Sequence, residues 1–428
     1  MLALRRTRTM HRRPLNMDDS TTTRFKFLLV EDDPAMIELE SLLLEEAGHT
    51  VVALHSSDDA LSKIKEHAPD CVLTDIMMPG IDGMQLLKQI KDEPGLSNTK
   101  VIVVTFKTFE YDQRAAMQLG ADSFITKPIE AETFSTLVED VMADLLQMKF
   151  WGVRGTLPVS GHRSLRYGGN TSCVTLEFPR GQQFIFDGGS GIKELSNAIM
   201  AAPKKINAKI FISHPHWDHI NALPFFVPLY IPGNEFEILG AAHAHITMRK
   251  LIAAQMDDVF FPITMKEFGS RVYFRDLNEG SYEIDGISVK TLLLSHPGNC
   301  LGYRIDYGGR SFCYVTDNEL FLPDDASHNP HYVKRLTEFI AGTDALITDA
   351  TYTDAEYQSK IGWGHSCISQ VVKLAHEAEV KSLYIFHHDP DQDEDAIDAK
   401  HAAGEAILAE LESSTQLISP SETHSVKI

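Results

Sequence analysis

The chain has 428 residues, enough for two or three domains at about 100–200 residues each. Hydrophobic residues make up 43% and charged residues 23%, which excludes a disordered chain and a collagen-like fibre. The 39 Lys and Arg against 60 Asp and Glu leave a formal charge of −21, which argues against nucleic acid, and so against DNA, as a partner. In chain order, the first 13 residues hold five arginines, and no acid precedes Asp18. Residues 1–23 read as a disordered tail, a transit peptide, or an over-long start with Met17 as the true first residue. They are set aside from the fold. From Phe25 the pattern alternates. Apolar strands are predicted at Phe25–Val30, Val51–Leu54, Cys71–Thr74, Val101–Thr105 and Ser123–Ile125. Helices are predicted at Pro34–Ala47, from a cap at Ser57 or Asp58 to His67, at Met84–Lys91, up to Gly120, and at Glu132–Met148. This alternation predicts an α/β domain, a doubly wound five-stranded parallel sheet, over residues 24–148.

The pattern changes at Lys149. Strands are expected at Phe150–Arg154, Ser172–Phe178, Gln183–Asp187, Lys209–Ser213, Gly286–Leu294, Gly302–Tyr307, Ser311–Thr316, Ala345–Ala350 and Ser382–Phe386. Helices are expected at His243–Gln255, Pro330–Ala341, Ile368–Ala378 and Asp395–Ser413. This predicts a second domain over 149–428, an αββα sandwich of two sheets flanked by helices. No Gly/Ser/Pro linker separates the halves, so the last helix of the first is expected to run directly into the first strand of the second. No apolar run reaches the roughly 18 residues of a membrane span, so no membrane partner is expected. Cys71, Cys173, Cys300, Cys313 and Cys367 form no C-x-x-C pair, which points to a reducing, cytoplasmic location.

Two groups of residues carry chemistry. In the first, Glu31, Asp32 and Asp33 follow the first strand, Asp75 the third, Thr105 ends the fourth, and Lys127 follows the fifth. Ligands of an open parallel sheet bind at the carboxyl ends of its strands, so all four features fall at one edge. Clustered carboxylates suit Mg²⁺, and a lysine and a hydroxyl suit phosphoryl oxygens. The segments Val30–Asp33 (VEDD), Thr74–Gly83 (TDIMMPGIDG), Val103–Thr105 and Lys127-Pro128 resemble the receiver domain of bacterial response regulators. The resemblance implies that Asp75 accepts a phosphoryl group from a histidine kinase. It implies that Glu31, Asp32, Asp75 and the Met77 carbonyl hold Mg²⁺, and that Thr105, Phe124 and Lys127 form the switch. Phe106 stands where a small residue is usual.

The second group is richer in histidine. Of 19 histidines, all but His11, His49, His55 and His67 lie in the second half. His214-Pro215-His216-Trp217-Asp218-His219 packs three imidazoles and a carboxylate into six residues, a set suited to two divalent ions. His296, Asp317, His387 and His388 follow further strands. HPHWDH, with SHPGN at Ser295–Asn299, YVTDNE at Tyr314–Glu319 and IFHHDP at Ile385–Pro390, resembles the metallo-β-lactamase superfamily. That resemblance implies one metal on His214, His216 and His296. A second metal falls on Asp218, His219 and His387, with Asp317 bridging and His388 the alternative to His387. Zinc is expected, with manganese or iron as alternatives. FWGVRGTLP at Phe150–Pro158 and RYGGNTSC at Arg166–Cys173 resemble the cyclic-phosphodiesterase-like subgroup. Asp187 and Asn170 are expected just outside the metals, although an Asn in a Gly-Gly turn is also a structural residue. WGHS at Trp363–Ser366 resembles the extra histidine box of phosphodiester-cleaving members, where His365 would act as the acid and Asp218 would share in catalysis. His365 also reads as a neighbour of the cap of the following helix. Aromatics of the segment Ala222–Gly280, Phe260-Phe261 among them, read either as a packed cap or as a stacking surface, and His243 and His245 as surface residues.

Together these features imply a response regulator whose output domain is a dinuclear phosphodiesterase acting on a cyclic nucleotide or another small anionic phosphodiester, as a homodimer. A lactonase or thioesterase with the same metals is one alternative. A non-catalytic diiron sensor is another.

Overall fold

The computed structural model describes residues 24–96, 98–107, 109–201, 205–259 and 261–428. The expectations for residues 1–23 and for Phe260 lie outside the described residues. The chain divides into two compact units, the second running from Glu139 to Ile428.

In the first unit the strands are β1 (Lys26–Val30), β2 (Thr50–Leu54), β3 (Cys71–Thr74), β4 (Lys100–Thr105) and β5 (Ser123–Thr126). They alternate with α1 (Pro34–Glu46), α2 (Ala60–His67), α3 (Gly83–Asp92), α4 (Glu110–Gln118) and α5 (Phe134–Met142), whose residues from Glu139 on belong to the second unit. The sheet is parallel throughout, in the order β2-β1-β3-β4-β5. Its central strands are buried apolar runs, as a sheet covered on both faces requires. Asp33 caps α1 by accepting from the Ala35 and Met36 amides, with Pro34 at the first turn. The expected cap of α2 is not formed. Ser57 Oγ donates instead to the Pro79 carbonyl, and the helix starts at Ala60.

The second unit contains two seven-stranded sheets. The first is built from β6 (Gln147–Gly152), β7 (Cys173–Glu177), β8 (Gln183–Phe186), β9 (Asn207–Ile212), β10 (Glu235–Ala241) and β11 (Arg271–Leu277). It carries helices α6 (Ile192–Ala201), α7 (Trp217–Ile220) and α8 (Met248–Gln255) between its strands. The second sheet holds β12 (Gly280–Ile284), β13 (Ile287–Leu293), β14 (Leu301–Tyr307), β15 (Arg310–Val315), β16 (Ala345–Asp349), β17 (Ser382–Phe386) and β18 (Gln416–Ile418). Its helices are α9 (Pro330–Ile340), α10 (Asp354–Tyr357), α11 (Ile368–Glu377) and α12 (Glu394–Glu410). The last strand, β19 (Ser425–Lys427), returns to pair with β6 in the first sheet. Phe150, Phe186, Phe211, Tyr303, Phe312 and Tyr314 fill the space between the sheets. The outer faces are covered by α6 and α8 on one side and by α9 and α11 on the other. This is the expected αββα sandwich.

Three expectations need correction. The segment predicted as one helix over Glu132–Met148 is helical only to Met142. Asp144 then takes a left-handed turn, and β6 begins at Gln147 because Gln147 and Met148 pair with β7 and β19. Helix and strand are therefore separated by a turn rather than continuous. Helix α8 starts at Met248, where Thr247 caps it, because His243 and Ile246 pair with each other in a short bridge. The segment 222–280 is not only a cap, since it supplies β10 and β11 to the first sheet. Among the described residues no helix is long and apolar enough to cross a membrane, and all five cysteines are free.

Candidate metal centre and phosphoacceptor site

The metal-type residues of the second unit sit at strand ends. His214 follows β9, and His216 caps the short helix α7, which carries Asp218 and His219. Asp187 and His387 come directly after β8 and β17, Asp317 comes two residues past β15, and all three adopt left-handed backbone, with φ of 62°, 56° and 56°. Such backbone is uncommon outside glycine and costs about 1–3 kcal/mol per residue. Three instances at one cluster mark it as a functional site. Glycines allow the close packing. A side chain on Gly155 would come within 2.1 Å of the His387 ring, and one on Gly364 within 2.3 Å of His296.

Three overlapping groups of ligand-type atoms converge: His214, His216, His296 and Asp317; Asp218, His219 and His387; and Asp317, His365 and His387. Around Asp317 Oδ2 stand His214 Nε2 at 3.5 Å and His296 Nε2 at 3.7 Å. His216 Nδ1 lies 2.8 Å from the first of these nitrogens and 3.2 Å from the second. Around Oδ1 stand His219 Nε2 at 3.4 Å and His387 Nε2 at 3.3 Å. Asp218 Oδ2 is 3.2 Å and 3.0 Å from those two nitrogens. Bonds of about 2.0–2.1 Å in a tetrahedron give edges of about 3.3 Å, so both sets have the size of a zinc-type site.

The second partners of these rings test the fit. His296 Nδ1 donates to the Gly364 carbonyl at 2.9 Å, which leaves Nε2 as a bare lone pair. His219 Nδ1 donates to Asp187 at 2.7 Å, and its buried Nε2 has no hydrogen-bond partner among the described residues. Burial holds His214 well below its ordinary pKa and lowers His216 and His296, so these imidazoles are neutral. Imidazole nitrogens and carboxylates facing one another at these distances suit a bound cation. Asp187 also accepts from Ser213 and from Tyr314 OH at 2.8 Å, so it orients His219, as outer partners of ligating histidines do.

His365 lies beside this cluster, its ring stacked 4.8 Å from that of His387. Its Nδ1 faces buried Asp349 at 3.2 Å. Burial opposes its charged form, but the hydrogen bond to Asp349 and the fields of Asp317 and Asp218 outweigh this and push it up to about 9. Cations bound alongside would bring it back down. Glu319 fixes the same loop by accepting from the Gly362 and Gly364 amides, both at 2.7 Å, and from Tyr357 OH. The cluster opens into a pocket of about 650 Å³, which Trp217, Tyr352, Lys360 and Trp363 also line. Lys360 Nζ sits 4.0 Å over the Trp363 ring.

Other expected residues are placed elsewhere. His388 is buried with both ring nitrogens unpartnered among the described residues, outside the two ligand sets. Asn170 donates to Glu422 and accepts from Ser190, so it serves a turn rather than the metals. Arg154 of the FWGVRG motif is buried and donates to the Gly168, Arg163 and Gln392 carbonyls. His243 and His245 are exposed. Asp349, Glu319 and Lys360 were missed from sequence. The strand-end rule that selected Asp317 could have found Asp349, the last residue of β16.

In the first unit, Lys127 Nζ donates to Glu31 at 2.5 Å and to Asp75 at 2.8 Å, and all three are buried. Asp75 also accepts from the Met77 amide at 3.0 Å. Asp32 is exposed. Thr105 is fully buried, Phe124 packs partly buried on the core, and Lys127 lies 5.4 Å over the exposed Phe106 ring.

The family model "Response regulator receiver domain" matches residues 27–139, and "Beta-lactamase superfamily domain" matches residues 184–388. Protein PilH of Pseudomonas aeruginosa is 33% identical over 118 residues, 28% of this chain and 98% of PilH. The polar-differentiation response regulator DivK of Brucella ovis is 31% identical over 117 residues, 27% of this chain and 95% of DivK. The metallo-beta-lactamase fold protein YhfI from Bacillus subtilis aligns in structure with a TM-score of 0.48 and 16% identity, over 67% of this chain and 100% of YhfI.

Proposed function

This chain belongs to the response regulators, as a receiver domain fused to a metallo-β-lactamase-fold domain, and on that premise we propose that the second domain is a dinuclear metal-dependent phosphodiesterase controlled by phosphorylation of Asp75. The observation that carries this reading is Asp317, whose Oδ2 faces His214 and His296 and whose Oδ1 faces His219 and His387, with His365 held by Asp349 next to them. His214, His216 and His296 would hold one ion, Asp218, His219 and His387 the other, with Asp317 between them and zinc the expected metal. Two such ions supply Lewis acidity and a water-derived nucleophile at neutral pH. The chain's own groups do the rest. Asp187 and the Gly364 carbonyl set the ring faces of His219 and His296. Asp218 is steadied by the Thr156 amide at 2.7 Å. Lys360, held on Trp363, attracts the phosphate. His365 donates its proton to the departing alkoxide oxygen. In the receiver, a histidine kinase is the phosphodonor, Mg²⁺ binds at Glu31, Asp32 and Asp75, and Lys127 pairs with the incoming phosphoryl group.

The test is a substrate panel on metal-loaded full-length protein: bis-p-nitrophenyl phosphate, cyclic mono- and dinucleotides, and lactones. Hydrolysis of diesters, lost together with metal in Asp317→Ala, supports the reading. Lactone hydrolysis without diester hydrolysis overturns it.

A further inference from the structure

The buried carboxylate of Asp187 does more than orient His219. It accepts from the Ser213 amide at 2.7 Å, from Ser213 Oγ at 2.9 Å, from His219 Nδ1 at 2.7 Å and from Tyr314 OH at 2.8 Å. Ser213 is itself fully buried and stands directly between β9 and His214. Its Oγ also lies 3.1 Å from His214 Nδ1 and 3.3 Å from His219 Nδ1.

A serine hydroxyl has one proton to give and lone pairs to receive. The proton goes to Asp187 Oδ2, because a carboxylate only accepts. His219 Nδ1 is nearer to that carboxylate oxygen than to the hydroxyl, so its proton goes there too. The hydroxyl is left with a lone pair, and His214 Nδ1 is the group placed to donate to it. The other neighbour of that nitrogen is Cys300 Sγ at 3.6 Å, which gives its own proton to the Thr316 carbonyl and is a weak acceptor. The hydrogen bond made by one imidazole nitrogen sets the tautomer, and so which nitrogen is left for a metal. With the proton on Nδ1, His214 presents a bare Nε2 towards Asp317 Oδ2 at 3.5 Å and His216 Nδ1 at 2.8 Å. We propose that Ser213 is a positioning residue of the metal centre: its hydroxyl, held by Asp187, accepts a hydrogen bond from His214 Nδ1 and so bares Nε2 for the first ion. One carboxylate then sets a ligand ring in each set, His219 directly and His214 through Ser213. The proposal rests on the two-ion reading for the ions, but not for the state of the ring.

The experiment reads two quantities on full-length protein. Zinc affinity is measured by competition with a chromophoric chelator, starting from metal-free protein. Wild type should take up two ions per chain. Ser213→Ala should weaken one of them by about 10–100-fold, the usual cost of losing an outer partner of a ligating histidine, and leave the other unchanged. Ser213→Thr, which keeps a hydroxyl, should recover most of the loss. Equal affinity in Ser213→Ala and wild type, or equal weakening of both ions, overturns the proposal. The ring tautomer is read by ¹⁵N NMR of metal-free, histidine-labelled protein, with the His214 signals identified by their absence in His214→Gln. Wild type should carry the proton on Nδ1, and Ser213→Ala should lose that preference. A proton on Nε2 of His214 in wild type overturns the proposal, whether or not Ser213→Ala folds. If wild type binds fewer than two ions, the two-ion reading fails on its own, and the tautomer still decides the role of Ser213.

Discussion

Asp317 Oδ2 faces His214 and His296, while Oδ1 faces His219 and His387, so one carboxylate couples two ligand sets. The position of His387 in that arrangement depends on a neighbour with no side chain. A Cβ on Gly155 would lie 2.1 Å from the imidazole, far inside contact distance, and the buried ring has no room to retreat. Gly155→Ala is therefore expected to bind one metal per chain instead of two, because His214, His216 and His296 are untouched. Metal analysis after desalting checks this, and two metals with wild-type turnover would show that the loop yields. His365 makes a different claim. Its ring touches the ligand cluster, but its hydrogen bond runs to Asp349. His365→Ala should keep both metals and lose about 10²–10⁴-fold in turnover on an alkyl leaving group, the usual range for one positioned acid. A p-nitrophenyl leaving group, which needs no proton, should recover much of the loss. Loss of metal in this variant would make His365 a ligand and remove the acid role.

At the scale of elements, the site is a set of strand ends held by short clamps. Glu319, just past β15, accepts two amides of the loop that carries Trp363 and His365. Removing the carboxylate leaves the buried Gly364 amide unpaired, at a cost of about 1–3 kcal/mol. Glu319→Ala should loosen that loop and raise KM together with lowering kcat. Proteolytic nicking near residues 360–365 should rise, whereas Glu319→Gln should recover part of the loss. An unchanged nicking rate in Glu319→Ala would refute the clamp. Helix α1 carries the opposite case, a buried acid with an unmet oxygen. Glu40 Oε1 has no hydrogen-bond partner among the described residues, and burial, with Glu31 and Asp75 adding against Lys127, pushes its carboxyl up to about 8. The folded receiver keeps this proton where the unfolded chain, at its ordinary value of 4.5, has lost it. Stability should therefore fall as pH rises from about 4.5 to about 8 and level off above. In Mg²⁺-free buffer, Glu40→Gln should raise the receiver's melting temperature at pH 8 and change it little at pH 5. A difference that is constant across this range would sink the assignment.

For the whole molecule, the central expectation is that Asp75 phosphorylation changes output activity. Helix α5 ends at Met142 and β6 begins at Gln147, a connection far shorter than the flexible linkers that let domains act independently. A phosphoryl group acts only through a difference in its contacts between two states. Lys127, shared by Glu31 and Asp75, must redistribute its hydrogen bonds when the Asp75 carboxylate becomes an acyl phosphate. Ordinary allosteric coupling of about 1–3 kcal/mol gives about a 5–150-fold change. Turnover and oligomeric state with and without acetyl phosphate, in wild type and Asp75→Ala, measure it. Identical values in all four samples would show that the receiver does not control this output. Much of this architecture could be read directly from the chain, because its determinants are local. Alternating apolar runs specify strands and helices, HPHWDH concentrates its ligands within six residues, and acids at strand ends share one edge of a parallel sheet. The break after Met142 was not readable, because Gln147 and Met148 suit a helix as well as a strand until β7 and β19 pair with them. Nor could adjacent His387 and His388 be distinguished. The left-handed backbone at His387 accompanies a ring that faces Asp218 and Asp317, while His388 pairs its backbone with Val153 and Gly155 and buries its ring. Asp349, Glu319 and Ser213 acquire meaning only from what surrounds them. A hydrogen bond between segments distant in sequence is a property of packing, and no local pattern encodes it.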